Sequence, residues 1–189
     1  MALRHAVLAA LLDGESSGYE LAKTFDAGMA NFWHALPQQL YLELAKLEKD
    51  GLIQGRAVVQ ETRPTKRLFS VTDAGLAELE RFAESSAKPA FIRDDLLVKV
   101  RAVDSTSATV VIEQLEERAL IAAAKIDIFD RYMERQRGDA DEHAFLESGD
   151  RIGPYLTCLR GLRYEQETAD WCRQTAQILR ERCRVNADT

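Results

Sequence analysis

Cysteine is scarce: Cys158, Cys172 and Cys183 are the three in 189 residues. At those spacings they form no zinc pattern and no small disulfide scaffold, which favours a reducing compartment. No apolar run approaches the roughly 18–20 residues that a membrane span needs. Met1-Ala2-Leu3-Arg4-His5 is not a charged segment leading into a long apolar core, so no signal peptide is expected and the reading is cytoplasmic, with no membrane partner. The three histidines, His5, His34 and His143, show no ligand spacing and no obvious carboxylate relay. There is no nucleophile elbow, P-loop or dinucleotide fingerprint. The expectation is a protein that is not an enzyme, without catalytic residues, metal or cofactor. Neither charge sign dominates, since 25 basic residues stand against 31 acidic ones for a net charge of −6. That acidic balance argues weakly against a nucleic-acid partner, because net charge averages over surfaces and the local distribution decides. A hydrophobic fraction of 46% with 30% charged residues is that of a folded globular chain.

Two helical patterns are interrupted at Ser85-Ser86-Ala87-Lys88-Pro89, which divides the chain into domains at 1–86 and 90–189. In the first, Leu3, Val7 and Leu11 recur at helical spacing up to a stop at Asp13-Gly14. A second helix opens at Ser17, with Glu20 at the capping-box position and Leu21 and Phe25 as core anchors. A third starts at Pro37, suited to a first turn, and stops at Gly51. The period then changes: Leu52–Glu61 and Arg67–Val71 are β-prone, with Thr62-Arg63-Pro64-Thr65-Lys66 as a hairpin loop. A fourth helix begins at Thr72-Asp73-Ala74-Gly75 and carries Leu76, Leu79 and Phe82 on one side. Three helices, a two-stranded hairpin and a helix make a winged helix-turn-helix. The fold class is therefore mainly α with a small β-hairpin wing, followed by a helical C-terminal domain.

On the third helix Leu40, Leu44 and Leu47 share one face and should pack inward. The opposite side collects Gln38, Gln39, Leu42, Ala45, Lys46 and Lys49. Glutamine can bond bidentately to adenine and Leu42 can touch a thymine methyl, while Lys46 and Lys49 lie where phosphate would be neutralised. Tyr41 sits beside this face, its hydroxyl within reach of a phosphate. A solvated helix face would have the same spacing. The hairpin tips the balance, because Arg63, Lys66 and Arg67 cluster around Pro64 with no acid between them. Residues 37–72 carry six basic and four acidic side chains, a local charge of +2 in an acidic chain.

Ser17-Gly18-Tyr19-Glu20-Leu21, then Gln39-Leu40-Tyr41…Leu44…Leu47-Glu48…Gly51-Leu52-Ile53, then Arg63-Pro64…Lys66-Arg67…Phe69-Ser70-Val71-Thr72…Ala74-Gly75 together resemble the PadR-type transcriptional regulators over about residues 3–82. The resemblance implies a winged-helix dimer on a palindromic operator, usually a repressor released by a small molecule or stress signal. It places Gln38, Gln39, Tyr41 and Lys46 on the recognition helix and Arg63, Lys66 and Arg67 on the wing. Two positions depart from the common pattern: Leu36 stands where a polar cap is frequent, and Leu42 where proline or arginine is frequent.

In the second domain Ala108, Ile112, Leu115, Ala119, Ala122, Ile126, Phe129 and Met133 alternate steps of four and three, the seam of a helix packed lengthwise on another. The last helix, Pro154 to Arg184, repeats this with Cys158, Leu162, Glu165, Ala169, Cys172, Ala176, Leu179 and Cys183. A second stripe, Tyr164, Trp171, Ile178 and Val185, recurs every seven residues on another side. Two stripes need two neighbours: the helix over 107–137 and, unless one chain satisfies both stripes as a monomer, a second subunit. Leu162, Tyr164, Trp171, Cys172, Ile178 and Leu179 are the expected dimerisation residues, and the partner is another copy of the chain. The three cysteines lie roughly 21 and 16 Å apart along one helix, so they read as small buried hydrophobes. Trp33 and Trp171 are candidates for an effector pocket, although aromatics at such places serve more often as core anchors. The competing functional class is a protein–protein adaptor that keeps the winged scaffold without binding DNA.

Overall fold

The structure is a computed structural model that describes residues 2–25, 29, 32–59, 65–87, 89, 92–149 and 151–187. The chain divides into two compact units, Met1–Pro89 and Ala90–Thr189.

The first unit contains α1 (Ala2–Leu11), β1 (Ser16–Ser17), α2 (Gly18–Thr24), α3 (Pro37–Lys49), β2 (Ile53–Val58), β3 (Lys66–Val71) and α4 (Asp73–Glu84). Its core gathers Val7, Leu8 and Leu11 from α1, Leu21 and Phe25 from α2 and beyond, the expected Leu40, Leu44 and Leu47 of α3, and Ile53. Helix α2 begins at the capping box foreseen from Ser17 and Glu20: the Ser17 N–H donates to Glu20 Oε2 at 3.0 Å and the Glu20 N–H to Ser17 Oγ at 3.2 Å. Gly51, at φ +73°, ends α3 in the left-handed conformation, and the Leu52 N–H reaches back to the Leu47 carbonyl at 2.9 Å.

The sheet is three-stranded, ordered β1-β3-β2, and antiparallel throughout. Strand β1 is absent from the sequence reading, because two residues carry no legible period. Lys66 belongs to β3, where it pairs with Val58, and not to the loop. The rest of the expected loop falls largely on residues 60–64, outside the described residues. Thr72 caps α4 by accepting from the Gly75 N–H at 3.2 Å, and its own hydroxyl donates to the Gly51 carbonyl at 2.7 Å. On α4, Leu79 packs on the core while Leu76 and Phe82 stay largely exposed. Phe82 stacks on His5 with centroids 4.0 Å apart, and His5 Nε2 lies 3.1 Å from Glu78 Oε1. His5 thus has the carboxylate that its sequence neighbourhood does not reveal, and it ties α1 to α4.

The second unit contains α5 (Asp95–Arg101), a 3-10 turn at Val103–Ser105, α6 (Ala108–Arg137), α7 (Glu142–Ser148) and α8 (Ile152–Ala187). Glu116 pairs with Arg180, Lys125 with Glu165, and the Cys158 thiol lies by the Phe129 carbonyl, so α6 and α8 run antiparallel. One cluster joins Leu96, Val111, Ile112, Leu115 and Ala119 to Cys172, Ala176 and Leu179. The other joins Phe129 and Met133 to Tyr155, Cys158 and Leu162. Between them Glu165 is buried, only 3% exposed, and accepts from Lys125 Nζ at 2.6 Å. Helix α7 rests on the second cluster: the Tyr155 hydroxyl donates to Glu142 Oε1 at 2.9 Å, and its ring meets Phe145. Cys158 and Cys172 are buried as expected, and burial pushes the Cys158 thiol up to about 11. Cys183 is exposed, because the seam that covers the other two does not extend over it.

Candidate nucleic-acid interface

Helix α3 exposes Gln38, Gln39, Tyr41, Leu42, Ala45, Lys46 and Lys49 on the side away from its buried leucines. Leu42 is 64% exposed, an apolar side chain with nothing of its own unit over it. The two glutamines differ in what holds them. Leu36, the N-cap residue, has no polar side chain, and the Gln39 side chain supplies the other half of a capping box: the Leu36 N–H donates to Gln39 Oε1 at 2.9 Å. Pro37 has no N–H to satisfy at the first helical position, and this bond meets the donor of the N-cap residue itself. Reading adenine bidentately takes both the oxygen and the amide of a glutamine. Gln39 would have to give up its cap to do so, whereas Gln38 is exposed and projects from the first turn.

Tyr41 is half exposed and its ring lies against Gly18. A Cβ at position 18 would sit 2.4 Å from Tyr41 Cε1, so the glycine at the start of α2 is what lets the ring seat there. The ring is thereby fixed beside the helix face that carries Gln38 and Leu42.

Lys66 and Arg67 are successive strand residues and diverge to opposite faces of the sheet. Lys66 Nζ lies 3.3 Å from Glu20 Oε1 at the start of α2. Arg67 Nη2 lies 2.7 Å from Glu48 Oε1 in the last turn of α3, with its guanidinium over the Phe69 ring. Gly55, opposite Phe69 in the register, leaves room for this pair, since a Cβ there would stand 2.5 Å from both Arg67 Nε and Glu48 Oε1. The single wing cluster read from the sequence is therefore spread over two faces. Arg63 lies outside the described residues. Arg56, passed over in the sequence, is a further wing cation: its Nε donates to Glu15 Oε1 and Oε2 at 2.9 and 3.0 Å. The Arg56 bond holds the Glu15 carboxyl below the usual carboxylate range. On α3 itself Lys46 lies 3.6 Å from Glu43.

The remaining candidates fall into separate places. Leu162, Cys172 and Leu179 are buried against residues of their own chain, so their burial is accounted for without a partner. Tyr164 is half-buried beneath the Arg160 guanidinium, Trp171 is half-buried at the edge of the first cluster, and Ile178 is 49% exposed. Leu120, Ile121, Ile128 and Val185 are exposed apolar residues on the same two helices. Trp33 packs at the edge of the core of the first unit and Trp171 in the second, so each has a core role in its own unit.

Comparison with known proteins supplies the context. The description "Transcriptional regulator PadR-like family" matches residues 7–81, and "Virulence activator alpha C-term" matches residues 92–180. A "Probable transcriptional regulator" of Mycobacterium tuberculosis is 31% identical over 192 residues, spanning 96% of this chain and all of the relative. The "Negative transcriptional regulator PadR" of Bacillus subtilis is 27% identical over 170 residues, spanning 89% of this chain and 92% of the relative. Its structure in complex with operator DNA superposes with a TM-score of 0.73 at 25% identity, covering 95% of this chain and 99% of that one. Its complex with p-coumaric acid gives 0.68 at 26%, with the same coverage. The Vibrio cholerae virulence activator AphA gives 0.66 at 25%, covering 95% and 98%.

Proposed function

The chain belongs to the PadR-like family of transcriptional regulators, and from that premise we propose that it acts as a homodimeric cytoplasmic repressor on a palindromic operator. The family consists of DNA-binding regulators and not enzymes. In this reading the first unit binds DNA, and the second forms the dimer and receives a small-molecule or stress signal.

The observation that carries the proposal is the exposed start of α3, with Gln38 and Leu42 on the side away from its buried leucines, in a unit whose wing strands carry Arg56, Lys66 and Arg67. Two such helices reach successive major grooves when an interface holds them about one helical turn, ~34 Å, apart. The apolar residues left exposed on α6 and α8, with Tyr164, Trp171 and Ile178, support a second copy as that spacer. Occupying a promoter then blocks polymerase. A signal acts only by binding one spacing of the two heads more tightly than the other. The operator and p-coumaric acid complexes of the Bacillus subtilis relative support a duplex and a small organic molecule as partners.

The test is to select bound fragments from genomic DNA and titrate the recovered duplex against the protein at several salt concentrations. Two chains per duplex are expected. Replacing Arg63, Lys66 and Arg67 by alanine is expected to weaken binding to every DNA, operator and random duplex alike. Unchanged affinity for DNA, or no retained fragment, would favour the adaptor function. Within α3, Gln38→Ala is expected to cost about 1–3 kcal/mol of preference for the operator. Gln39→Ala should instead weaken operator and random duplex alike, because it removes the acceptor of the Leu36 N–H. Anisotropy titrations of both duplexes separate the two, and an operator-selective loss for Gln39→Ala would make it a base reader after all.

A further inference from the structure

Among the described residues of the wing the cations are Arg56, Lys66 and Arg67, and each is already held by a carboxylate of the same unit. The three acids come from three places: Glu15 precedes β1, Glu20 lies in the first turn of α2, and Glu48 in the last turn of α3. Arg56 and Lys66 share a sheet face, since Arg56 pairs with Leu68, two residues from Lys66; Arg67 takes the other face. The acids are also set in place by other bonds. Glu20 accepts from the Ser17 N–H and hydroxyl, and Glu48 lies across the slot left by Gly55.

We propose that Glu15, Glu20 and Glu48 set how tightly, and with what salt dependence, the wing binds DNA: each holds a wing cation in an internal ion pair, and a duplex binds by exchanging that carboxylate for a backbone phosphate. The proposal rests on the DNA-binding function above. Exposed pairs of this kind are weak, so a phosphate can displace the acid. Each exchange nevertheless leaves a bare carboxylate that gathers a cation from solution, which offsets the counterion released from the DNA. Affinity for random DNA is almost wholly electrostatic, whereas operator affinity adds base contacts. A pair exchanged in both complexes lowers both binding constants by the same factor, so the internal pairs keep the wing cations from holding the protein on DNA where base contacts are missing.

The experiment compares the full-length protein with Glu15→Gln/Glu20→Gln/Glu48→Gln, titrating random and operator duplexes across salt. Glutamine keeps the side-chain shape, and at position 20 it keeps an acceptor for the capping box, so thermal melting should be preserved. The triple variant is expected to bind random duplex roughly tenfold tighter or more, taking two- to fivefold for each weak pair. Its salt slope should steepen by about 0.9 per exchanged pair on both duplexes, with the operator-to-random ratio unchanged. Glu80→Gln, on the exposed side of α4, removes one negative charge without touching these pairs and should leave the slope unchanged. A triple variant with the slope of the parent overturns the exchange, as does Glu80→Gln steepening it as much per charge. A parent that binds no duplex removes the DNA-binding function itself, whereas a parent that binds with unchanged variants removes only the exchange.

Discussion

Replacing Lys125 by methionine is expected to destabilise the C-terminal unit by about 3 kcal/mol, the low end for breaking a buried pair because Lys125 is itself half exposed. Glu165 has almost no contact with water, and Lys125 supplies its charge partner at 2.6 Å. Methionine keeps the apolar stem over the carboxylate and withdraws only the charge, so the acid is left desolvated and unpaired. Glu165→Leu should behave in the opposite sense. It removes the group that needs compensation, while Lys125 can turn to solvent, and the result is expected to be neutral or stabilising. Denaturant unfolding followed by Trp171 fluorescence in a Trp33→Phe background reads this unit alone. Protein concentration must be held fixed, since association shifts the midpoint. Equal losses for both variants would show that Glu165 is not the group whose burial needs paying for.

Gly75→Ala is expected to cost the first unit about 2–3 kcal/mol, the upper part of the overpacking range. A Cβ at that position would stand 2.2 Å from the Leu52 carbonyl oxygen and 2.7 Å from Val71 Cγ1. The obstruction is main chain, and it is not free to move. The Leu52 carbonyl accepts from the Thr72 N–H at 3.1 Å while the Thr72 hydroxyl holds the Gly51 carbonyl. These bonds lock the end of α3, the root of the wing and the start of α4 into one joint. In a unit of this size the loss corresponds to a fall of about 10–20 °C in melting temperature. Trp33 fluorescence in a Trp171→Phe background reports it, and an unmoved midpoint would mean that α4 can slide at its first turn. Within the family-like Val71-Thr72…Ala74-Gly75 stretch, Thr72 and Gly75 thus each have a packing role in this joint.

Much of this was legible in the chain because the causes are local. The stop at Gly51, the Ser17–Glu20 capping box, the inward leucines of α3 and the long seam of α6 and α8 each depend on residues within a turn or two. That Lys66 and Arg67 take opposite faces of the sheet was not legible, since adjacency in sequence says nothing of strand alternation. Strand β1 was invisible because it is two residues long and exists only by pairing with β3.

Composition and periodicity by themselves determined a winged helix-turn-helix joined to a helical second unit, and an outward α3 face with glutamine at its tip. Only tertiary structure decided that Gln39 caps its own helix, that His5 meets Glu78, that Glu165 is buried beneath Lys125, and that Arg56, Lys66 and Arg67 are engaged by Glu15, Glu20 and Glu48. Helix periods and glycine stops follow from each residue's own conformational preferences. Ion pairs and most buried polar contacts depend instead on which distant segments the packing brings within about 3 Å, as with residues 5 and 78 here, and no local pattern encodes that distance.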